Sequence, residues 1–131
     1  MKDNRAVSRS QEDYLESILT LLNKKTVVRV TDLAQEMKLS KPSINKAIKN
    51  LKSQGLVDHE HYGSITLTIK GECLAKNVQM RHQILKKFLK AIGVNEEKAE
   101  EEACAIEHSI SIDTIEKLNN FLNEHISPPP V

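Results

Sequence analysis

Residues 31–56 read TDLAQEMKLSKPSINKAIKNLKSQGL, and this stretch decides the fold. Asp32 to Met37 is a short amphipathic segment in which Leu33, Ala34 and Met37 share a face, and Thr31 is expected to be its N-cap. A four-residue link, Lys38-Leu39-Ser40-Lys41, leads into a second helix. Ser40 can cap this helix, Pro42 falls in its first turn where a missing N–H costs nothing, and Gly55 stops it. Ile44, Ala47, Ile48 and Leu51 make its apolar stripe. The opposite face carries Lys41, Ser43, Asn45, Lys46, Lys49, Asn50 and Lys52, with no acidic residue between Met37 and Val57. Such a face repels itself unless it meets anions.

Upstream, Leu15, Ile18, Leu19 and Leu22 recur at spacings of three and four, predicting an amphipathic helix over Gln11 to Leu22 with Ser10 as cap. Val27 to Val30 is β-branched and predicts a small strand. Downstream, Leu56 to Glu60 and Ser64 to Ile69 alternate around His61-Tyr62-Gly63, predicting a hairpin. Helix, turn, basic helix and hairpin is the order of a winged helix-turn-helix. An α-helix fits the major groove of B-DNA, where lysines displace counterions and Ser and Asn reach base edges or phosphates. Double-stranded DNA is therefore the expected partner. Lys41, Ser43, Asn45, Lys46 and Lys49 are the expected contacts, with Tyr62 and Ser64 of the hairpin tip on the flanking groove or backbone.

The second half is helical. Gly71 is expected to give way to a long helix, Glu72 to Ile92, followed by a helix from Glu96 to His108 capped by Asn95, and a last one opened by Ser111 or Asp113. The fold class is thus mostly α: a winged helix-turn-helix with a small β-hairpin wing over residues 1–71, then an all-α lobe over residues 72–131. Ile112, Ile115, Leu118 and Leu122, with the apolar residues of the long helix, exceed what one lobe of this size covers, which predicts a homodimer.

The chain has 131 residues and 14.8 kDa, enough for one domain or two small lobes. With no Trp and two each of Phe and Tyr, it has no aromatic platform for single-stranded nucleic acid. The net charge of +1 hides an asymmetry: residues 1–90 hold 17 Lys and Arg against 9 Asp and Glu, and residues 91–131 hold 2 against 9. One end is suited to a polyanion and the other to cations. Cys73 and Cys104 are too few for a disulfide framework. No apolar run follows the polar start that would serve as a signal peptide or membrane span, so a cytoplasmic protein that does not engage membranes is expected.

Cys104, Glu107 and His108 are spaced i, i+3 and i+4, placing thiol, carboxylate and imidazole on one face of one helix. Asp13 and Glu16 are a second pair at i, i+3, and His82 lies between two apolar stretches. Three segments therefore offer mixed O, N and S donors of the kind first-row metals take. Each also has an ordinary reading, Cys104 as a small core residue and the others as helix polar groups.

These residues and the order of elements resemble the diphtheria toxin repressor-like metalloregulators, in particular their short manganese transport regulator branch. The resemblance covers nearly the whole chain. It rests on Glu12-Asp13-Tyr14-Leu15-Glu16, the helix-turn-helix from Thr31 to Leu56, Leu67-Thr68-Ile69-Lys70-Gly71, Met80-Arg81-His82 with Phe88-Leu89, and the run from Glu102 to Ser111. It implies a homodimeric repressor of metal-uptake genes that binds a DNA operator when activated by Fe²⁺ or Mn²⁺. Asp13, Glu16, His82, Cys104, Glu107 and His108 match the family's main metal site, with one or two ions per subunit. Cys104 stands where the manganese branch usually has Glu, and Asp13 where the iron branch has Met. The iron branch's ancillary site is broken, with Lys86 in place of a carboxylate and Glu100 in place of a later His.

Two other functions use the same residues. A redox regulator would sense through Cys104, yet three glutamates precede that thiol and only His108 offers it a nearby cation. A hydrolytic metal centre needs a substrate site, and four Gly with no phosphate-cradling loop and no nucleophile elbow provide none. The expectation is a regulator, not an enzyme, with no small-molecule substrate.

Overall fold

The computed structural model describes residues 7–60 and 63–125. The chain divides into two compact units that meet in sequence between Lys76 and Asn77.

The first unit contains α1 (Arg9–Lys24), α2 (Val30–Met37), α3 (Lys41–Ser53), β1 (Val57–His59), β2 (Ile65–Leu67) and the opening turns of α4 (Ile69–Ala91). The apolar stripes of the three helices converge, and Leu15, Ile18, Leu33, Ile44, Ile48 and Leu51 are all at most 1% exposed. Burying side chains of this size contributes about 1.5–3 kcal/mol each. The two strands pair antiparallel, Val57 with Leu67 and His59 with Ile65, and put Val57 and Ile65 into the same core.

Several boundaries differ from the expectation, each through a local hydrogen bond. Ser8, not Ser10, caps α1: its Oγ accepts from the Gln11 N–H while the Gln11 side chain accepts from the Ser8 N–H, a capping box. The segment Val27 to Val30 is not a named strand. Arg29 makes a single bridge to Ser64, the Val28 carbonyl accepts from Ile65 N–H at 2.7 Å, and Val30 already belongs to α2. The cap of α2 is consequently Arg29 rather than Thr31, and Asp32 reaches back to accept from the Arg29 N–H at 2.8 Å.

α4 starts at Ile69, ahead of the expected Glu72, because Thr68 caps it: Thr68 Oγ1 accepts from Gly71 N–H at 3.0 Å and donates to the Gly55 carbonyl at 2.7 Å. Gly71 therefore sits inside the first turn. A Cβ there would lie 1.9 Å from the Leu56 carbonyl oxygen, so this helix crosses the end of α3's loop only where the side chain is absent.

The second unit holds the rest of α4 with α5 (Glu96–Ile106) and α6 (Ile112–His125). Asn95 caps α5 through Lys98 N–H, and Ser111 caps α6 through Thr114 N–H. α5 ends at Ile106 instead of His108, with Glu107 as C-cap. The core here is small, built on Leu85, Ala103 and Ile115 with Ile84, Leu89, Ile110 and Leu118 packed around it. Ile115 and Leu122 of the expected dimer stripe are already buried, whereas Ile92, Ile112 and Phe121 are exposed. No helix among the described residues is long and apolar enough to cross a membrane.

Candidate nucleic-acid interface and metal centre

The turn between α2 and α3 is Lys38-Leu39-Ser40, and Lys38 takes the left-handed conformation at φ 58°. Leu39 N–H closes the turn on the Ala34 carbonyl. Ser40 Oγ accepts from Ser43 N–H and pairs with Ser43 Oγ at 2.9 Å, fixing the first turn of α3. Ile44, Ile48 and Leu51 are locked in the core, so Lys41, Ser43, Asn45, Lys46 and Lys49 all face solvent. No acidic side chain interrupts them. Lys52 of the same helix reaches the His59 carbonyl of β1 at 3.4 Å, tying the hairpin to α3. Ser64 enters the hairpin through its bridge to Arg29, and Tyr62 lies outside the described residues.

In the second unit, His82 of α4 lies between two carboxylates. Its Nδ1 is 3.0 Å from Glu107 Oε1 and its Nε2 is 2.9 Å from Glu100 Oε2. Glu107 is 0% exposed. The Arg81 guanidinium donates to the Glu107 backbone carbonyl at 2.6 Å, holding that residue where α5 ends. The hydrogen bond to Glu107, more than the one to Glu100, pushes the His82 pKa up to about 9 against the opposing effect of burial. Lys86, 3.0 Å away, is the main reason the Glu100 carboxyl is held below the usual carboxylate range, and His82 adds to it.

Glu107 also tests whether these residues suit a metal. Its Oε2 is buried and has no hydrogen-bond partner. A buried carboxylate oxygen without a partner costs about 1–3 kcal/mol or more, and a cation at that oxygen removes the cost. His108 is buried beside it in sequence, 5% exposed, while Cys104 is exposed on α5. Of the trio expected on one helical face, two members are thus inside and one is outside. Asp13 and Glu16 are half-buried on α1, on either side of buried Tyr14 and Leu15.

Three participants escaped the sequence reading as parts of one cluster. Arg81 enters the sequence reading only as a member of the Met80-Arg81-His82 run, and Lys86 and Glu100 only as departures from the iron branch's ancillary site. The signal that would have found them is spacing: His82, Lys86 and Lys90 recur every four residues on α4, and Glu96 and Glu100 do so on α5. These form the ion pairs Lys90–Glu96 at 2.7 Å and Lys86–Glu100 at 3.0 Å.

Comparison with known proteins agrees with this division. Residues 6–65 match the iron dependent repressor N-terminal DNA binding domain, and residues 68–129 match the iron dependent repressor metal binding and dimerisation domain. The chain belongs to this family of metal-dependent, diphtheria toxin repressor-like transcriptional regulators. Within it, the chain is similar to manganese transport regulators. It is 37% identical over 113 residues to the HTH-type transcriptional regulator MntR of Lysinibacillus sphaericus, covering 86% of this chain and 81% of that one. The MntR of Bacillus subtilis is 34% identical, covering 86% and 80%. A manganese-dependent transcriptional repressor solved in complex with manganese superposes with a TM-score of 0.79 at 31% identity, covering 86% of this chain and 52% of that chain. The chain therefore spans about half the length of that solved repressor.

Proposed function

We propose that the protein is a homodimeric, cytoplasmic repressor of metal-uptake genes that binds a double-stranded operator when it holds Fe²⁺ or Mn²⁺. The observation that carries this reading is Glu107, wholly buried, paired with His82 and left with one unpartnered oxygen in the unit that matches a metal-binding domain. The proposed ligands are Asp13, Glu16, His82, Cys104, Glu107 and His108, for one or two ions per subunit. A bound divalent ion supplies the positive charge that lets these carboxylates share one place. His82 and Glu107 would hold the ion once the proton between them is lost, and Arg81 keeps Glu107 in position through its backbone carbonyl. In this reading metal occupancy is coupled to DNA binding; allosteric couplings amount to about 5–150-fold in affinity.

On the DNA side, Lys41, Lys46 and Lys49 neutralise phosphates while Ser43 and Asn45, near the start of α3, reach base edges, with Tyr62 at the wing. This is a binding function with no small-molecule substrate and no catalytic step. Selection of binding sites from a random duplex pool tests it. In the presence of Mn²⁺, or of Fe²⁺ without oxygen, a two-fold symmetric sequence is expected to be enriched, as a dimer requires. Equal enrichment in the presence of a chelator would contradict metal activation.

A further inference from the structure

We propose that Glu100 is the residue that orients His82 for metal, accepting a hydrogen bond from the ring's Nε2–H so that Nδ1 is left to face Glu107 and the ion, and that Lys86 holds Glu100 in this role. The inference rests on the metal-site reading above and adds to it a residue outside the ligand set. His82 uses both ring nitrogens, 3.0 Å from Glu107 Oε1 on one side and 2.9 Å from Glu100 Oε2 on the other. The two sides differ. Glu107 is fully buried with a spare oxygen, whereas the Glu100 side chain is 54% exposed and its other oxygen is bound by Lys86 at 3.0 Å. Only the Glu107 side offers a carboxylate oxygen waiting for a cation. A neutral imidazole that gives one nitrogen to a metal keeps its proton on the other, and a carboxylate that accepts that proton's hydrogen bond fixes both tautomer and ring angle.

Lys86 completes the arrangement. The four-residue spacing of His82 and Lys86 along α4 brings both to one carboxylate of α5, each on its own oxygen. Glu100 is thereby held by two partners from one helix and cannot turn away from the ring without breaking an ion pair. The Lys86 ammonium occupies the second oxygen of Glu100, so that this carboxylate acts on His82 rather than competing for the ion.

The test uses the full chain and Mn²⁺ as the probe in competition calorimetry. Glu100→Ala is expected to weaken Mn²⁺ binding about 10–100-fold, the usual cost of removing such a partner. Glu100→Gln, which keeps an oxygen acceptor, is expected to recover most of that loss. In the Zn²⁺-loaded wild-type protein, long-range ¹H–¹⁵N spectra are expected to place the His82 proton on Nε2. The proposal is overturned by wild-type Mn²⁺ affinity in Glu100→Ala, by Glu100→Gln falling as far as Ala, which would make Glu100 a direct ligand, or by a His82 proton on Nδ1. His82→Ala is the control: unchanged Mn²⁺ affinity there removes the metal-site reading itself and the proposal with it.

Discussion

The two units of this chain solve the burial problem differently. The first closes a core of Ile, Leu and Val around three helices and a hairpin, and of its charged side chains among the described residues only Glu12 is buried. The second has a smaller core built on Leu85, Ala103 and Ile115, leaves Ile92 at 63% and Phe121 at 47% exposed, and places a carboxylate and an imidazole inside. The first presents a lysine-rich face suited to a polyanion. The second is incomplete in both its apolar surface and its buried charge, the two features that a second copy of the chain and a metal ion supply.

The largest effect should come from the apolar surface. Phe121 packs edge-on against Phe88 at 6.4 Å and stacks on His125 at 4.1 Å, yet it remains 47% exposed. Full burial of such a ring contributes about 1.5–3 kcal/mol, and a symmetric interface would bury it twice. Sedimentation should show a dimer for the wild-type protein and a monomer for Phe121→Glu at micromolar concentration. A wild-type monomer, with or without metal, would end the contrast between the units.

Metal preference is the next effect. Thiolate is a softer donor than carboxylate, so Cys104→Glu should favour Mn²⁺ over Co²⁺ in activating DNA binding. Cys104 is exposed while Glu107 and His108 are buried, which makes its ligation the sharpest question about the set. A Co²⁺-loaded wild-type protein lacking an intense near-ultraviolet charge-transfer band, together with unchanged selectivity in the variant, would remove Cys104 from it.

In the first unit the effects are electrostatic and graded. Lys46→Ala or Lys49→Ala should reduce the slope of log affinity against log salt by about one per phosphate contact, or about two per dimer. Slopes unchanged in both variants would move the DNA surface off α3.

The smallest effect is the pH dependence of the metal-free protein. His82 should titrate near pH 9 in NMR, with Glu107 as the main cause and Glu100 contributing. Its folded value lies above the ordinary value of 6.5. Its contribution to stability is therefore full below about pH 6.5 and is lost as the pH rises through about 9. An ordinary titration near pH 6.5 would mean that the two carboxylates do not hold the ring.

The same contrast governs how much of the molecule was legible in the sequence. α3 could be read almost to the residue, because Ser40, Pro42 and Gly55 each mark a backbone event and the stripe has a clean period. Ends set by side chains reaching across a turn were less visible: Ser8 outcompetes Ser10 through Gln11, Asp32 caps from inside its helix, and Thr68 starts α4 before Gly71. The proposed ligands His82 and Glu107 were marked by residue type. Their partners Arg81, Lys86 and Glu100 were not, because a Lys or Glu on a helix is ordinarily a solvated charge. Only the pairing of α4 with α5 makes them part of one cluster.

Glu107 carries the proposed function, so the most direct measurement is the DNA affinity of wild-type protein and of Glu107→Gln on one selected duplex, with Mn²⁺ and with a chelator. The wild-type protein should bind at least about tenfold more tightly with Mn²⁺, within the range of ordinary allosteric coupling, and Glu107→Gln should bind equally in both conditions at the chelated wild-type level. Equal wild-type affinity with and without metal, or full Mn²⁺ activation in Glu107→Gln, would contradict the account.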